Sequence, residues 1–268
     1  MRTAGIDFGS TLVKAYWRAQ GMERAATVGD PAGLEELAQE LRLDGVRTLR
    51  FTGVGSVSYE GRLATRFEII RARDGAIDDE IRLQAAGTRL LMPGAPRRMI
   101  VASIGTGVSY AKASGKRVKR SPLGSAHGGG TILGLGKIVG ARNFRELEAA
   151  AAKGVPADLL VKQQLPATVG TPVGEMVTAH FWREDASFED KCASVFSFAA
   201  ASIAKDLAVL TSIPFSPKDI AVVGKVASSR VFRHALERWE PFLKGRKLHF
   251  PERGEYAAAA GAWADIST

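Results

Sequence analysis

Three short stretches of this 268-residue chain carry side chains and backbone suited to holding phosphate. The first is Asp7-Phe8-Gly9-Ser10-Thr11 with Lys14 beyond it, where β-prone segments flank a small-residue turn. Such residues tolerate the backbone angles of a tight hairpin. Exposed amides and hydroxyls at a turn grip phosphate oxygens, and a carboxylate such as Asp7 holds hydrated Mg²⁺ through its water shell. The second stretch, Gly105-Thr106-Gly107, again lies between two apolar segments, and the third, Gly128-Gly129-Gly130-Thr131, opens an apolar helix. Three glycines weaken a helix start, so packing alone seldom favours them. Amides and the helix dipole favour an anion at that point. Either hairpin alone is equally an ordinary structural hairpin. Two of them, followed by the glycine run, suggest a nucleotide clamped between two lobes.

The elements expected to position these residues fall into two series. The first comprises a hairpin over 3–18, a strand near 24–28, and a helix from Pro31 to Arg42 capped by Asp30. A strand at 47–53, a glycine-broken connection and a helix from Asp78 to Leu91 complete it, with Asp78, Asp79 and Glu80 at that helix's positive end. Met92-Pro93-Gly94-Ala95-Pro96 is the clearest punctuation, giving lobes at 1–95 and 96–268. The second series opens with strands at 98–103 and 108–112, then a basic hairpin holding Lys112, Lys116, Arg117, Lys119 and Arg120. Helices are expected at 128–139, 143–153, 156–163 and 188–212. The end alternates strand 219–223, helix 231–242, strand 247–250 and helix 256–266. Phe188, Val195, Phe196, Phe198, Ile203 and Leu210 are expected to face the core. Gly134 and Gly136 are expected to let their helix pack closely. Both series begin strand, turn, strand, which points to a structural duplication without a sequence repeat.

Composition narrows the function classes. The single cysteine, Cys192, excludes a disulfide framework or a four-thiolate metal site within this chain and fits a reducing, cytoplasmic setting. No uninterrupted apolar stretch stands out as a membrane span. Lys and Arg number 37 against 28 Asp and Glu, a net charge of +9 that draws anions. Aromatic content of 7% argues against a base-stacking surface, so the basic hairpin reads as a solvated face rather than a nucleic-acid patch.

Asp7-Phe8-Gly9-Ser10-Thr11 with Lys14, Gly105-Thr106-Gly107 and Ala221-Val222-Val223-Gly224 resemble, in order, the three nucleotide motifs of the acetate/sugar kinase, Hsp70 and actin superfamily. Within it, Gly128-Gly129-Gly130-Thr131-Ile132-Leu133-Gly134-Leu135-Gly136 and the closing Gly254-Glu255-Tyr256-Ala257-Ala258-Ala259-Ala260-Gly261-Ala262 resemble the type II pantothenate kinases. The resemblance implies an α/β, two-lobed actin-like ATPase (ribonuclease H-like) fold, with mixed sheets flanked by helices and a nucleotide cleft between lobes. It implies ATP and Mg²⁺ as cofactors, Asp7 orienting the metal through water, and Gly224 opening space for adenosine. Glu80-Ile81-Arg82-Leu83-Gln84-Ala85-Ala86-Gly87 resembles the family's catalytic helix, which makes Glu80 a general base, although Arg82 stands where the family has Asp. Alternatively, Asp79 and Glu80 only stabilise a helix N-terminus.

The resemblance further implies Arg120 as a catalytic contact, with Ser103, Gly124, Ala126 and His127 against the substrate. Ungapped, Ser121 occupies the family's arginine position and Arg120 lies one residue away, so either Arg120 acts from a shifted backbone or the acceptor differs. The expected activity is ATP-dependent phosphorylation of a small alcohol, pantothenate first, by a homodimer whose interface includes the 188–212 helix. A sugar or amino-sugar kinase and a catalytically weak nucleotide sensor are the alternatives. An activator of 2-hydroxyacyl-CoA dehydratases shares the nucleotide fold, but its dimer-bridging iron–sulfur cluster needs a cysteine pair that this sequence lacks.

Overall fold

A computed structural model describes residues 2–53, 55–71 and 77–264. The first series comprises β1 (Arg2–Phe8), β2 (Val13–Ala19), β3 (Met22–Val28), α1 (Pro31–Leu43), β4 (Val46–Thr52), α2 (Ser56–Leu63), β5 (Glu68–Arg71) and α3 (Ile77–Leu90). Its five strands form one mixed sheet in the order β3-β2-β1-β4-β5. The hairpin strands run antiparallel, while β4 and β5 run parallel to β1. Alternation in β1 turns Ala4, Ile6 and Phe8 onto Leu34, Leu37, Ala38 and Leu41, the apolar stripe of α1. That helix starts where expected: Asp30 Oδ1 accepts the Gly33 N–H at 2.7 Å, and Pro31 fills the first turn.

The second series repeats the plan. It contains β6 (Arg98–Ile104), β7 (Val108–Ser114), β8 (Arg117–Ser125), α4 (Gly129–Ile138), α5 (Phe144–Ala151), β9 (Leu159–Leu160), α6 (Val161–Gln164), β10 (Val177–Ala179), α7 (Phe188–Ser212), β11 (Asp219–Val223), α8 (Arg230–Glu237), β12 (Lys247–His249) and α9 (Ala257–Ala264). Five of these strands make the second mixed sheet, β12-β11-β6-β7-β8. Across it lies α7, with Val195, Phe196, Ile203 and Leu210 packed in the core that includes Ile100, Ala102, Ile220 and Val222. Among the described helices α7 is long and apolar enough to cross a membrane by length and composition, and more than half of its apolar window is buried here.

Between the two sheets lie α3 and α9. Ala85 of α3 joins Met99, Val101, Ala221 and Val223 of the second sheet, while Ala259 and Ala260 of α9 pack on Tyr16 of the first. Backbone meets backbone here: a Cβ on Gly87 would overlap the Ala257 carbonyl, one on Gly261 the Leu83 carbonyl, and one on Gly5 the Ala259 carbonyl.

Several expectations need correction. The glycine-broken connection after β4 contains α2 and β5. No helix spans 156–163. The Ala157 amide donates to Ser194 Oγ (2.7 Å), Ser197 Oγ donates to Asp158 (2.6 Å), and these tertiary bonds hold an extended path before the short α6. The helix expected over 231–242 ends at Glu237 because Pro241 has no N–H to continue it, and a 3₁₀ turn follows. Gly136 meets Leu147 as expected, but Gly134 faces open space, and Phe188 is exposed at the tip of α7. The expected end of the closing helix at Ile266 lies outside the described residues.

Candidate active site

Both hairpins bring their turns to the same place. In the first, the Gly9 amide closes the turn on the Leu12 carbonyl at 3.0 Å, and Asp7 lies directly opposite Lys14. Lys14 Nζ stands 3.1 Å from Asp7 Oδ2, and both side chains are nearly buried. In the second turn, the Gly105 amide donates to the Gly107 carbonyl at 2.9 Å. Thr106 Oγ1 then meets Ser10 Oγ at 2.9 Å and Thr11 Oγ1 at 3.0 Å. Three exposed hydroxyls from two sheets thus converge on one point.

The glycine run reaches this point by docking on the second turn and not by facing an anion. Its amides are spent on protein: Gly129 N–H donates to the Gly105 carbonyl (2.7 Å) and Gly130 N–H to the Thr106 carbonyl (2.9 Å). A Cβ on Gly128 would stand 2.7 Å from the Thr106 and Gly107 carbonyl oxygens. The run is therefore glycine so that α4 can dock on the second turn. Its first amides are not left for an anion. Thr131 Oγ1 likewise donates to the Ala126 carbonyl at 2.6 Å.

A cleft of about 560 Å³ opens between the sheets. Asp7, Gly9, Ser10, Thr11, Lys14, Glu80, Ser103, Gly105, Thr106, Gly107, Gly129, Gly130 and Gly224 all line it, as expected. Gly224 has φ +97° and its missing side chain leaves room for the Ile104 carbonyl, a position that only glycine occupies without strain. Six expected residues do not line the cleft: Arg120, Gly124, Ala126, His127, Gly128 and Thr131. His127 turns away because its Nδ1 is held by Ser125 Oγ (2.9 Å) and Ser202 Oγ (2.6 Å). Arg120 is exposed on the edge strand β8. The pairing there slips: Ala111 faces Arg120 but Ser109 faces Gly124, so Ser121-Pro122-Leu123 form a bulge, with Ser121 buried and Leu123 against the core. Proline, with no amide to donate, suits that edge.

Of Asp79 and Glu80 at the start of α3, Glu80 lines the cleft. Asp79 Oδ1 is taken by Arg82 Nε at 3.2 Å, and the Asp78 side chain lies outside the described residues. Burial pushes the Glu80 carboxyl above the ordinary glutamate range, and the Asp7 carboxylate pushes it further, while Lys14 and Arg120 pull it back. A carboxylate raised in this way is a stronger base than an ordinary glutamate.

Several lining residues were missed. Gln84, one helical turn beyond Glu80, donates its amide to Ser103 Oγ at 2.6 Å, and the i,i+4 spacing was signal enough. Ser109, Ser125, Leu133, Phe144, Val226 and Glu255 line the cleft as well. Phe144 comes from α5, and nothing in its local sequence marks it.

No family model and no curated protein matches the chain. Solved structures do. Component A of the (R)-2-hydroxyglutaryl-CoA dehydratase from Acidaminococcus fermentans is similar over 100% of both chains, with 17% identity and a TM-score of 0.66. The activator of the 2-hydroxyisocaproyl-CoA dehydratase from Clostridium difficile, with bound ADPNP, covers 100% of this chain and 96% of its own at 16% identity and TM-score 0.63. A ROK family glucokinase from Streptomyces griseus, in complex with glucose and AMPPNP, covers 99% of each at 15% identity and TM-score 0.55. With its two mixed sheets flanked by helices, the chain has the actin-like ATPase fold of these neighbours.

Proposed function

We propose that this chain is an ATP-dependent phosphotransferase whose acceptor is the hydroxyl of a small molecule. The observation that carries the reading is one cleft holding a half-buried carboxyl, Glu80, together with the Asp7–Lys14 pair and the hydroxyls of Ser10, Thr11 and Thr106. Nucleotide analogues bound to two of the fold neighbours support it. The donor set fits Mg²⁺: Asp7 offers a hard carboxylate beside the phosphate-type turns, which suits an ion that keeps most of its waters. When bound there, Mg²⁺ supplies charge neutralisation for the phosphates.

The chain's own residues then divide the work. The two turns hold phosphate oxygens through Ser10, Thr11 and Thr106, and Lys14 adds positive charge beside them. Glu80 accepts the proton of the acceptor hydroxyl. That oxygen attacks the terminal phosphorus, the bond to the ADP oxygen breaks, and ADP leaves. Leu133, Phe144 and Val226 give the nucleoside end its apolar wall.

A sugar is the acceptor that the glucokinase neighbour supports, and an amino sugar is carried in the same test. Pantothenate is the second reading, favoured by the Gly128-Gly129-Gly130-Thr131 run. An activator-type electron transfer is disfavoured because Cys192 is the sole cysteine and is buried in the second core. The test is Mg²⁺-dependent ADP release with a panel of hexoses, N-acetylhexosamines and pantothenate, with Glu80→Gln as control. Acceptor-dependent turnover that falls at least about a thousandfold in Glu80→Gln is the expected result. ATP binding without acceptor-dependent release would replace the kinase by a sensor.

A further inference from the structure

The cleft wall opposite Glu80 is a row of serines. Ser103 on β6 pairs in register with Ser109 on β7, which faces Gly124 on β8, and Ser125 follows at once. Ser103, Ser109 and Ser125 all line the cleft. The first of these hydroxyls is engaged by Gln84. Ser125 is fixed from behind. Its Oγ accepts the His127 backbone N–H at 3.0 Å and meets His127 Nδ1 at 2.9 Å, and that same Nδ1 lies 2.6 Å from Ser202 Oγ on α7. The imidazole is steadied edge-on against Phe198, which carries His180 in the same way. Beyond it, Asp158 is bound by Ser197 and lies 3.1 Å from His180 Nδ1.

One ring nitrogen facing two hydroxyls restricts the protons. With Nδ1 unprotonated, both serines donate to it. The Ser125 proton then points away from the cleft, and the Ser125 oxygen keeps a lone pair for a ligand. A serine held this way accepts a hydrogen bond and does not give one. We propose, on the kinase reading above, that Ser125 is an acceptor-recognition residue for a hydroxyl or amide N–H of the phosphoryl acceptor, and that His127 is the positioning residue that sets its polarity through the Ser202–His127–Ser125 chain.

The experiment is steady-state kinetics on Ser125→Ala, His127→Ala, His127→Asn, Ser202→Ala and the Ser125→Ala/His127→Ala double variant, with melting curves beside them. Losing one hydrogen bond to the acceptor corresponds to about a tenfold rise in acceptor KM. That rise is expected for Ser125→Ala and His127→Ala, with ATP KM within about twofold of the parent. The double variant matches either single one, because His127 acts through Ser125. Asn places an acceptor oxygen near the position of Nδ1, so His127→Asn recovers most of the loss. Unchanged acceptor KM, or equal changes in both KM values following the loss of melting temperature, would overturn the proposal and leave the kinase reading intact. Absence of acceptor-dependent turnover in the unsubstituted protein would overturn both.

Discussion

The two sheets are the same device built twice with different chemistry. Their strand orders correspond, β3-β2-β1-β4-β5 against β8-β7-β6-β11-β12. Phe8 opposite Val13 corresponds to Ile104 opposite Val108, so Asp7 opposite Lys14 corresponds to Ser103 opposite Ser109. The strand added in parallel ends each time in a positive-φ glycine, Gly53 at +90° after β4 and Gly224 at +97° after β11. Each sits where a Cβ would strike the carbonyl of the neighbouring strand's last residue, Phe8 or Ile104. The backbone plan is shared, whereas the paired side chains beside the turn are an ion pair in one sheet and two neutral hydroxyls in the other. A fold can therefore duplicate its turns while placing charge beside one and neutral hydroxyls beside the other.

The sharpest way to break this comparison is to neutralise both sides. Asp7→Asn should lower kcat at least about a hundredfold, the scale for a charged group serving the transition state. Ser103→Ala should cost no more than about tenfold, the loss of a neutral hydrogen bond. Equal losses would mean that the two turns do the same work. The shared backbone is tested by Gly53→Ala and Gly224→Ala. Both should lose about 2–4 kcal/mol in denaturant unfolding through left-handed strain and overpacking. Both should also lose nucleotide affinity, since Gly224 lines the cleft and a Cβ on Gly53 would stand 2.8 Å from Asp7 Oδ1.

A smaller effect reads the electrostatics around Glu80. Arg120 lowers a carboxyl that burial and Asp7 have raised. Arg120→Ala should therefore move the acid limb of the kcat profile to higher pH. The linkage has a definite sign. A folded-state pKa above the unfolded value contributes stability at low pH, and that contribution is lost as pH rises through the folded value. Glu80→Gln should accordingly melt at a higher temperature than the parent at neutral pH, even as it abolishes turnover. A lower melting temperature would show that ionised Glu80 is a structural asset instead.

Elements with strong local signals were legible in the sequence. Helix α7 over Phe188–Ser212 and strand β11 over Asp219–Val223 have the expected bounds, since a long apolar periodicity and a short β-branched run need no partner to be recognised. Both hairpins were legible for the same reason. What could not be read depends on atoms distant in sequence. The extended path at 157–160 exists because Ser194 and Ser197, nearly forty residues on, supply its polar partners. The glycine run was marked as special, but its amides were assigned to an anion because no local pattern shows the carbonyls of Gly105 and Thr106 beneath them. Likewise, His127 was legible as a residue beside the site, whereas the Ser202 hydroxyl that turns it away belongs to another helix.

The seam of Gly5, Gly87 and Gly261 sets a limit on how this chain can vary. The glucokinase neighbour shares only 15% of its residues over nearly its whole length, so most positions of such a fold accept many side chains. At the seam the neighbouring surface is main chain, identical whatever residues flank it, and no change elsewhere can enlarge the space by shrinking a side chain. A compensating second mutation, the usual escape from a steric clash, is closed off. Only a shift of a whole helix would admit a methyl group there, and that shift would carry Glu80 and Gln84 on α3 out of register with the serines they face.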